Sequence, residues 1–554
     1  MSSAADLIVV NGRVLTMDEA NPKAEAVAIK DGVLVAVGDR ASVEALKGPG
    51  TEVIDAGGAT VLPGFIEAHM HLFSGAAELA HLQLGGVHGF EALRSAIQAY
   101  AEGRPQAKML VAQGVDYTVL GDERVTRHHL DAILPDRAFC MAAPDHHTVW
   151  ANTRALEMAG ILHGRELGPG NEIVMGEGGL ATGELREGEA FGPVQALAGE
   201  TRVRLGLSTG GEPDPMPTAA ERAVDRDIMR RGLAWCARHG ITSIQNMDGN
   251  LYQLELLAEI EAEEGLSCRV QVPFHYKNFM TLDMLDKASM MAERYDSEWL
   301  SSGMVKVFYD GVLDSWTAVM IEPYADRPDW VGDPLFSPER FAELAVAIDK
   351  RGLQIAVHSI GDGAVRAVLD GYEAAREANG ARDSRHRVEH IEVIAASDVP
   401  RFAEMGVIAS MQPPHPPGSM GLPLEPTVSR IGRARWPLSY AWRTLKEAGA
   451  HVVFASDWPV SPIDPILGIQ AAVVRKPWAE TDPDQSFSLR EALAAYTVEG
   501  AYAGFMEHRK GMLKPGYLAD LVVLSDDIEA TAPEALHRVL AATTICGGKV
   551  THRA

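Results

Sequence analysis

The chain has 554 residues, of which 46% are hydrophobic and 23% are charged, and its formal net charge is −26 at pH 7. This length is too great for one small core, so it predicts a large domain with additional parts. The negative charge argues against binding to nucleic acids or to an anionic membrane surface, because both are negatively charged themselves.

The cysteines and the N-terminus indicate the cellular compartment. Cys140, Cys236, Cys268 and Cys546 are far apart and show no C-x-x-C spacing, which argues against a disulfide framework or a zinc ribbon. The first residues, MSSAADLIVVNGRVLTMD, lack a basic segment followed by a long apolar stretch, so we expect no signal peptide. No window is long and apolar enough to span a bilayer. We therefore expect a cytoplasmic protein.

The two ends of the chain are predicted to be all-β. Residues 1–60 contain short apolar runs, such as DLIVVNGRVLTMD, that are broken by the hairpin signals Asn-Gly and Asp-Gly. Residues 510–554 contain similar runs, GMLKPGYLADLVVLSDD and VLAATTICGGKVTHR. Because neither end has enough strands to be stable alone, we expect them to pair into one small β-sandwich.

Between the two ends, apolar strand-like runs alternate with helical stretches. The strand-like runs are VLPGFIEAH, ITSIQNMDG, CRVQVPFHY, GMVKVFYDG, LQIAVHSIG, HRVEHIEV, VIASMQPPH and HVVFASDWPV. Near-continuous apolar strands that alternate with helices are typical of a parallel sheet covered by helices. Eight such strands predict an α/β fold, a (β/α)8 TIM barrel made from residues 61–75 and 220–509.

Two segments do not follow this alternation. Residues 76–219 have strand-like pieces of their own, and we interpret them as an insertion after barrel strand 1, near the barrel mouth. Residues 412–426, QPPHPPGSMGLPLEP, follow a barrel strand and are rich in Pro and Gly. Their position makes them a candidate site loop, with a plain surface connection as the alternative.

The first barrel strand ends in two histidines, within VLPGFIEAHMHLF at residues 61–73. Because residues i and i+2 of a strand point to the same face, His69 and His71 would project side by side. Two imidazoles on one face can hold a metal ion. The alternative is a hydrogen-bonded pair of histidines at a strand end.

Further polar residues stand at corresponding places on other strands. The fourth strand carries Lys306 within an apolar run, the fifth and sixth carry His358 and His390, and the eighth ends in Asp457. Singly, each could be structural, as a paired lysine, a core histidine or a turn aspartate. The C-terminal ends of barrel strands meet at one mouth, so together these residues predict a metal site.

These motifs resemble those of the amidohydrolase superfamily, and most closely the branch called amidohydrolase family 3, or YtcJ-like. The resemblance extends over nearly the whole chain and includes LPGFIEAHMH, VKVFYDG, HSIGDGAV, SMQPPH and ASDWPVSPIDPILGI. The HSIGDGAV and ASDWPV motifs are specific, whereas the H-x-H motif alone is not.

The resemblance implies a binuclear metal centre. His69 and His71 would hold one divalent ion together with Asp457, and His358 and His390 would hold the second. Imidazole and carboxylate ligands suit zinc best, with manganese, iron and cobalt as alternatives. The ions would polarise a substrate carbonyl and lower the pKa of a bridging water. Asp457 would take a proton from this water and pass it to the departing nitrogen.

The resemblance also implies that Lys306 bridges the two ions. Its amine would first take up CO2 to become a carbamate, because an ammonium repels cations whereas a carbamate offers anionic oxygens. Several positions depart from the family pattern, and two of these departures bear on the site. Glu67 stands where the family usually has aspartate, which lengthens a side chain beneath the site. Asp314 and Trp316 follow strand four where glycine, serine and arginine are common, so the substrate pocket is individual.

The motif DHHTVWAN supplies another candidate, His147, which matches a family histidine. We expect it to contact the substrate or the developing oxyanion, with a capping or surface histidine as the alternative. The cleaved bond is expected to be a non-peptide C–N bond in an amide, N-formyl, carbamate or cyclic amide compound. Aromatic residues near the proposed mouth suggest a pocket for an apolar group. They are Phe73, Tyr309, Trp316, Trp436 and Trp458.

The expected partner is a small-molecule substrate, with no nucleic acid and no membrane, and a homodimer is compatible with the sequence. Two other function classes remain open. A mononuclear deaminase on the same fold would not need Lys306, so metal count distinguishes it. A non-catalytic amidohydrolase-like binding protein should have lost a metal ligand, whereas all six positions are filled here.

Overall fold

The computed structural model describes residues 4–143, 148–168 and 171–554. The chain divides into two compact units. The first unit comprises Met1–Leu72, Gly206–Glu212 and Met229–Ala554. The second unit comprises Phe73–Leu205 and Pro213–Ile228. Within the described residues, no helix combines the length and apolar character needed to cross a membrane.

The strands are numbered in chain order. Those before residue 71 are β1 Leu7–Val10, β2 Arg13–Leu15, β3 Lys23–Ala24, β4 Ala26–Lys30, β5 Val33–Gly38, β6 Glu52–Asp55, β7 Thr60–Pro63 and β8 Phe65–Met70. Those of the second unit are β9 Leu82–Gln83, β10 Met109–Gln113, β11 Ala138–Ala142, β12 Thr148–Ala151, β13 Glu172–Met175 and β14 Ala181–Arg186. The remaining strands are β15 Ile241–Asn246, β16 Arg269–Gln271, β17 Phe274–His275, β18 Leu300–Ser301, β19 Met304–Phe308, β20 Gln354–Ser359, β21 Arg387–His390, β22 Ile408–Met411, β23 Val452–Phe454, β24 Leu521–Leu524, β25 Ala541–Cys546 and β26 Lys549–Arg553.

The helices are numbered in the same way. The first nine are α1 Arg40–Glu44, α2 Leu72–Glu78, α3 Phe90–Glu102, α4 Arg127–Ile133, α5 Thr153–Met158, α6 Gly188–Ala196, α7 Thr201–Ser208, α8 Ala219–Arg238 and α9 Leu251–Glu264. The others are α10 Leu285–Arg294, α11 Pro338–Asp349, α12 Asp362–Asn379, α13 Val399–Met405, α14 Thr427–Ile431, α15 Trp442–Glu447, α16 Pro465–Val473, α17 Leu489–Ala495 and α18 Val498–Ala503. Short 3-10 helices lie at Leu282–Met284, Leu313–Ser315, Ser419–Gly421, Arg433–Leu438 and Pro533–Arg538.

Parallel strands form the centre of the first unit. One sheet has the order β18, β16, β15, β8, and another has the order β17, β19, β20, β21, β22, β23. Beyond the end of β23, the backbone N–H of Asp457 donates to the carbonyl of His69 at 2.9 Å, and the N–H of His71 donates to the carbonyl of Trp458 at 2.7 Å. These bonds place the continuation of β23 beside β8. All residues of β8, β15 and β20 are buried, as expected for strands covered on both faces.

The third predicted strand, CRVQVPFHY, is interrupted. β16 pairs with β15 and β18, whereas β17 pairs with β19 of the other sheet. The interruption falls at Pro273, which has no backbone N–H to donate to a neighbouring strand. One continuous segment therefore contributes to both parallel sheets.

The two ends of the chain share a sheet of order β26, β25, β24, β7, β2, β3. The N-terminal β7 pairs antiparallel with the C-terminal β24, and Val61 stands opposite Val523. Both ends contribute to one buried apolar cluster that includes Leu7, Val27 and Ile545. A second small sheet, of order β5, β4, β1, β6, lies within the first 55 residues.

Helix starts follow local sequence signals. The side chain of Ser337 accepts from the N–H of Arg340, and Pro338 occupies the first turn of α11. Ser488 and Glu491 form a reciprocal capping box at the start of α17. Such caps satisfy backbone N–H groups that have no partner within the helix.

The second unit has its own sheet and its own apolar clusters. Its six strands have the order β13, β14, β12, β11, β10, β9. One cluster on this sheet includes Leu93, Ile97 and Phe139, and another includes Cys140, Leu156 and Leu185. The residues on the two faces alternate along β11, so each face packs against a different set of helices.

Candidate metal centre

The predicted metal ligands all belong to the first unit, and all are buried. They lie in, or shortly after, parallel strands that are neighbours in the sheets. They are His69 in β8, His71 just after it, Lys306 in β19, His358 in β20, His390 at the end of β21 and Asp457 beyond β23. Parallel neighbouring strands bring their C-terminal ends to the same edge, which is why residues far apart in the chain meet here.

Asp457 lies between the imidazoles of His69 and His71, at the end of β8, and the imidazole of His390, at the end of β21. Its Oδ1 atom is 3.3 Å from Nε2 of His69 and 3.3 Å from Nε2 of His71. His69, His390 and Asp457 each offer one ligand atom within 4.8 Å of the others. The pKa of Asp457 lies well below its usual range because His69 and His71 outweigh the effect of burial. The aspartate is therefore an anion at the centre of the cluster.

Two of these residues have an unusual backbone. His390 has φ 77° and Asp457 has φ 60°, which is the left-handed region that non-glycine residues rarely adopt. Such a conformation costs on the order of 1–3 kcal/mol and persists only where the surrounding structure imposes it. It is common at functional sites, and it aims both side chains at the cluster.

Hydrogen bonds hold three of the imidazoles by one nitrogen. His69 donates from Nδ1 to Oε2 of Glu389 at 2.6 Å, and His390 donates from Nδ1 to Oε1 of Gln412 at 2.9 Å. His358 donates from Nε2 to the carbonyl of Gly311 at 3.0 Å. A proton held by an acceptor leaves the other ring nitrogen with a lone pair. His69 and His390 can therefore ligate through Nε2, and His358 through Nδ1.

His71 has a different environment. Its Nδ1 atom is 3.8 Å from Oδ1 of Asp248, a buried carboxylate that has no hydrogen bond within the described residues. Burial favours the neutral ring, but Asp248 and Asp457 outweigh it and raise the pKa of His71 to about 9. A metal ion that binds Nε2 must displace a proton, so binding through His71 weakens as the pH falls.

Glu389 is the fixed acceptor for His69. Its Oε1 atom accepts from Nε of Arg387 at 2.8 Å, and the same guanidinium donates to the carbonyl of Ala68 and to Ser410. Burial raises the pKa of Glu389, but Arg387 and His69 outweigh it and lower the pKa to about 2. The carboxylate is thus ionised and held in one orientation.

Lys306 is fully buried, and its Nζ atom makes no hydrogen bond with any described residue. The structural alternative, an ion pair with Glu389 or Asp310, is therefore not present among the described contacts. Burial lowers the pKa of Lys306 to about 8, against the opposing charges of Glu389 and Asp457. Its Nζ atom lies 4.8 Å from the centre of the Phe308 ring, but a buried amine without a hydrogen bond is unfavourable, so this position favours a ligand or a modification.

Glu67 lies beneath the cluster. Its Oε1 atom accepts from the backbone N–H of Ser456 at 2.7 Å, which anchors the residue before Asp457. Burial raises the pKa of Glu67 to about 8, so it is mostly protonated near neutral pH. The longer side chain of Glu67 therefore fits beneath the cluster and holds the backbone at the end of the strand.

Three of the aromatic candidates make packing contacts. Tyr309 is buried with its ring edge-on to Phe341, at 5.4 Å between ring centres. The ring of Trp316 has the guanidinium groups of Arg327 and Arg430 each 3.6 Å from its centre. Trp436 belongs to the same apolar cluster as Trp316.

The other two aromatic candidates adjoin the ligands in sequence. Trp458 follows Asp457 directly and is buried, and its carbonyl accepts from the N–H of His71. Phe73 is buried in α2, at the start of the second unit. His147 lies outside the described residues, so its expected contact with substrate stays a prediction.

His415 is a site residue that sequence reasoning missed. Its Nε2 atom lies 3.9 Å from Oδ2 of Asp457, and its ring stacks on that of His390 at 6.1 Å between centres. It belongs to the Pro/Gly-rich loop 412–426 and to the SMQPPH motif. Both signals were visible in the sequence, but neither showed that this histidine would reach Asp457.

The residues present fit a divalent metal ion. Buried atoms of several of these residues make no hydrogen bond among the described residues, namely Nε2 of His69, Nζ of Lys306, Oδ1 of Asp457 and Nε2 of His415. Imidazole nitrogens and carboxylate oxygens are the ligands that zinc and related ions prefer. In addition, His69, His358 and His390 have the fixed second nitrogen that metal-binding histidines usually show.

Comparison with known proteins identifies relatives over the full length. The model of the amidohydrolase family matches residues 52–552, which confirms the resemblance predicted from the motifs. The Bacillus subtilis (strain 168) protein named as an amidohydrolase, YtcJ, is 28% identical over 551 residues, covering 98% of this chain and 98% of that protein. N-substituted formamide deformylase of Arthrobacter pascens is 26% identical over 534 residues, covering 95% of this chain and 94% of that protein.

A solved structure is similar as well. An uncharacterized metal-dependent hydrolase from Pyrococcus furiosus has a TM-score of 0.71 and 26% sequence identity, covering 93% of this chain and 98% of that chain. The family match and this neighbour together support a hydrolase with a mixed α/β fold.

Proposed function

We propose that this chain, which belongs to the amidohydrolase family, is a metal-dependent hydrolase that cleaves a non-peptide C–N bond of a small molecule. The observation that carries the proposal is the buried convergence of His69, His390 and Asp457 within 4.8 Å. Similarity to a formamide deformylase along 95% of the chain supports an amide, N-formyl or related bond.

The proposed centre holds two divalent ions, with zinc as the first choice. When bound, they polarise a carbonyl group and lower the pKa of a water molecule. His69, His71 and Asp457 would hold one ion, and His358 and His390 the other. Carboxylated Lys306 would serve both, because its carbamate oxygens would replace a buried ammonium that has no hydrogen bond to any described residue.

Asp457 is the residue best placed to move a proton. It is ionised and buried, and its Oδ1 atom has no hydrogen bond within the described residues. It would accept a proton from the attacking water and deliver it to the departing nitrogen. Across the whole reaction, the acyl carbon gains a hydroxyl group, the nitrogen gains a hydrogen, and the C–N bond breaks.

Surrounding residues keep this arrangement fixed. Glu389 and Gln412 hold His69 and His390 by their Nδ1 atoms, so the imidazoles do not rotate away. His415 places its Nε2 atom 3.9 Å from Oδ2 of Asp457. Pre-arranged groups of this kind act without reorganisation during the reaction.

The proposal extends to the architecture. We propose that the parallel strands close as a (β/α)8 barrel, which the contact of β8 with the continuation of β23 supports. The sheet shared by both chain ends would form the composite β-sandwich of residues 1–60 and 510–554, with residues 76–219 as the insertion. A cytoplasmic location suits the four buried free cysteines.

The same cluster would serve a mononuclear deaminase, because within the described residues one group of three ligands, His69, His390 and Asp457, brings its atoms within 4.8 Å of one another. The test is a screen of metal-loaded protein with N-formyl, N-acyl, carbamate and cyclic amide substrates, together with amino-purines and amino-pyrimidines. We expect C–N hydrolysis of the first group that Asp457→Asn abolishes. Release of ammonia from the second group alone, by protein with one ion, would overturn the proposal in favour of deamination.

A further inference from the structure

Lys277 stands beside the candidate metal centre but belongs to neither ligand set. It follows β17, and the N–H of the preceding Tyr276 donates to the carbonyl of Lys306 at 2.9 Å. Because His275 is the register partner of Lys306, Lys277 comes opposite Phe308 two residues later. The Nζ atom of Lys277 lies 5.4 Å from the centre of the Phe308 ring.

Phe308 connects this lysine to the centre. Its partly exposed ring stacks on His358, at 4.6 Å between centres, and on His275, at 5.3 Å. His275 donates from Nδ1 to the carbonyl of Gly206, and burial keeps its pKa well below the usual value, so it brings no charge. The ammonium of Lys277 is therefore one aromatic ring away from a proposed metal ligand.

Among the described residues, no carboxylate forms an ion pair with this ammonium. Lys277 is partly buried and makes no ion pair and no side-chain hydrogen bond with any described residue. Burial lowers its pKa to about 8, Lys306 lowers it further, and Asp248 opposes both. Asp248 lies beside His71, and it does not form an ion pair with Lys277. Because Lys277 is only partly buried, an anion from outside the chain can reach its ammonium and supply the charge that the described residues do not.

Lys287 provides an internal comparison. Its Nζ atom also lies over a phenylalanine ring, 6.0 Å from the centre of Phe274, but it is paired with the carboxylate of Glu212. The two lysines thus have similar aromatic neighbours in the same unit. Glu212 supplies an anion to Lys287, whereas no described residue supplies one to Lys277.

We propose that Lys277 and Phe308 form a carboxylate-binding subsite next to the metal centre, so that the substrate is an anion such as an N-acyl or N-formyl amino acid. This inference rests on the proposed function and narrows its substrate class. The ammonium would pair with the carboxylate, and the ring of Phe308 would contact the carbon atoms between the carboxylate and the scissile bond.

The test uses metal-loaded full-length enzyme and two probes, 3-phenylpropanoate and 3-phenylpropanol. Neither probe contains a C–N bond, so neither is hydrolysed. Calorimetry would measure the affinity of both for the wild type, Lys277→Met and the matched control Lys287→Met. We expect Lys277→Met to weaken carboxylate binding about 10- to 100-fold, the range of one charge-assisted contact, with the alcohol unaffected. Lys287→Met should behave as the wild type does.

Unchanged carboxylate binding by Lys277→Met, or an equal loss for both probes, would overturn the subsite. Loss of bound metal in this variant would do the same, because Lys277 would then serve the centre itself. KM values for N-formylphenylalanine and its C-terminal amide separate the two proposals. If Lys277→Met hydrolyses both formyl compounds with the same preference as the wild type, the subsite is refuted and the proposed function stands. If the wild type discriminates between the carboxylate and alcohol probes but hydrolyses no C–N substrate, the proposed function is refuted and the subsite stands.

Discussion

Nδ1 of His69 lies 2.6 Å from Oε2 of Glu389, and both side chains are fully excluded from solvent. This bond turns Nε2 of His69 toward Asp457, 3.3 Å away. Arg387 fixes the carboxylate from the other side. The orientation of His69 thus depends on the buried carboxylate of Glu389, and the orientation of that carboxylate depends on the guanidinium of Arg387.

Glu389→Gln should therefore weaken metal binding. The amide keeps the shape, but it removes the charge that holds His69 and leaves Arg387 buried without its ion-pair partner. We expect a loss in metal affinity of about 10- to 100-fold, as is usual for residues that orient metal ligands. A competition titration against a chromogenic chelator measures it, with the exposed Glu377→Gln as the matched control. Equal affinity in Glu389→Gln and the wild type would contradict the prediction.

Metal content should be close to two divalent ions per chain. Both proposed ligand sets are complete and buried, so neither ion depends on a residue from another molecule. Elemental analysis after reconstitution and removal of excess metal is the measurement, and chelation should abolish hydrolysis. A constant value of one ion or less would favour the mononuclear deaminase.

Lys306→Ala should lose at least one ion and nearly all activity, because the proposed carbamate belongs to both coordination shells. A short carboxylic acid should restore part of the activity, whereas Lys306→Arg should not recover, since a guanidinium stays protonated. Lys510 is the matched control, because it is also a buried lysine but donates to Ser243 at 2.8 Å. Lys510→Ala should lose stability and keep its metal. An unmodified Lys306 amine in a high-resolution map of active, metal-loaded crystals would sink the bridging role.

His147→Ala should lower kcat/KM by about 100-fold if the side chain contacts the developing oxyanion, while metal content stays intact. His146→Ala is the neighbouring control, with no expected role. Steady-state kinetics on the best substrate, together with elemental analysis, decides the matter. Identical kinetics for the two variants would leave His147 as a structural residue.

Deletion of residues 515–554 should give an aggregating protein. The deletion removes β24, β25 and β26, which uncovers the edge of β7 and apolar side chains such as Val61. Exposed strand edges and apolar faces promote association between chains. Size-exclusion chromatography and light scattering would show it. A truncated protein that stays monomeric and fully active would refute the prediction.

Local patterns in the sequence predicted many of the elements correctly. Apolar runs such as LQIAVHSIG correspond to fully buried strands, here β20, because the period and composition of a strand are local properties. The division of CRVQVPFHY into β16 and β17 was not predicted, although Pro273 carries the signal. Whether a missing backbone N–H ends a strand depends on which strands lie beside it, and a single sequence does not show this.

The sequence by itself identified the candidate ligands of the proposed centre. The H-x-H motif and the polar residues at the ends of apolar strands named six candidate ligands, and parallel strand topology explains why such residues meet. The family was also determined at this level, because motifs spread along the whole chain carry it.

Only the tertiary structure decided how these groups are held and what surrounds them. Glu389 is 320 positions from His69, and no local pattern predicts that they form a hydrogen bond. The same holds for His415 beside Asp457 and for the ammonium of Lys277, with which no described carboxylate pairs. Side-chain orientation, proton position and the lack of a counter-ion depend on distances of a few ångströms, which the packing of all the strands sets together.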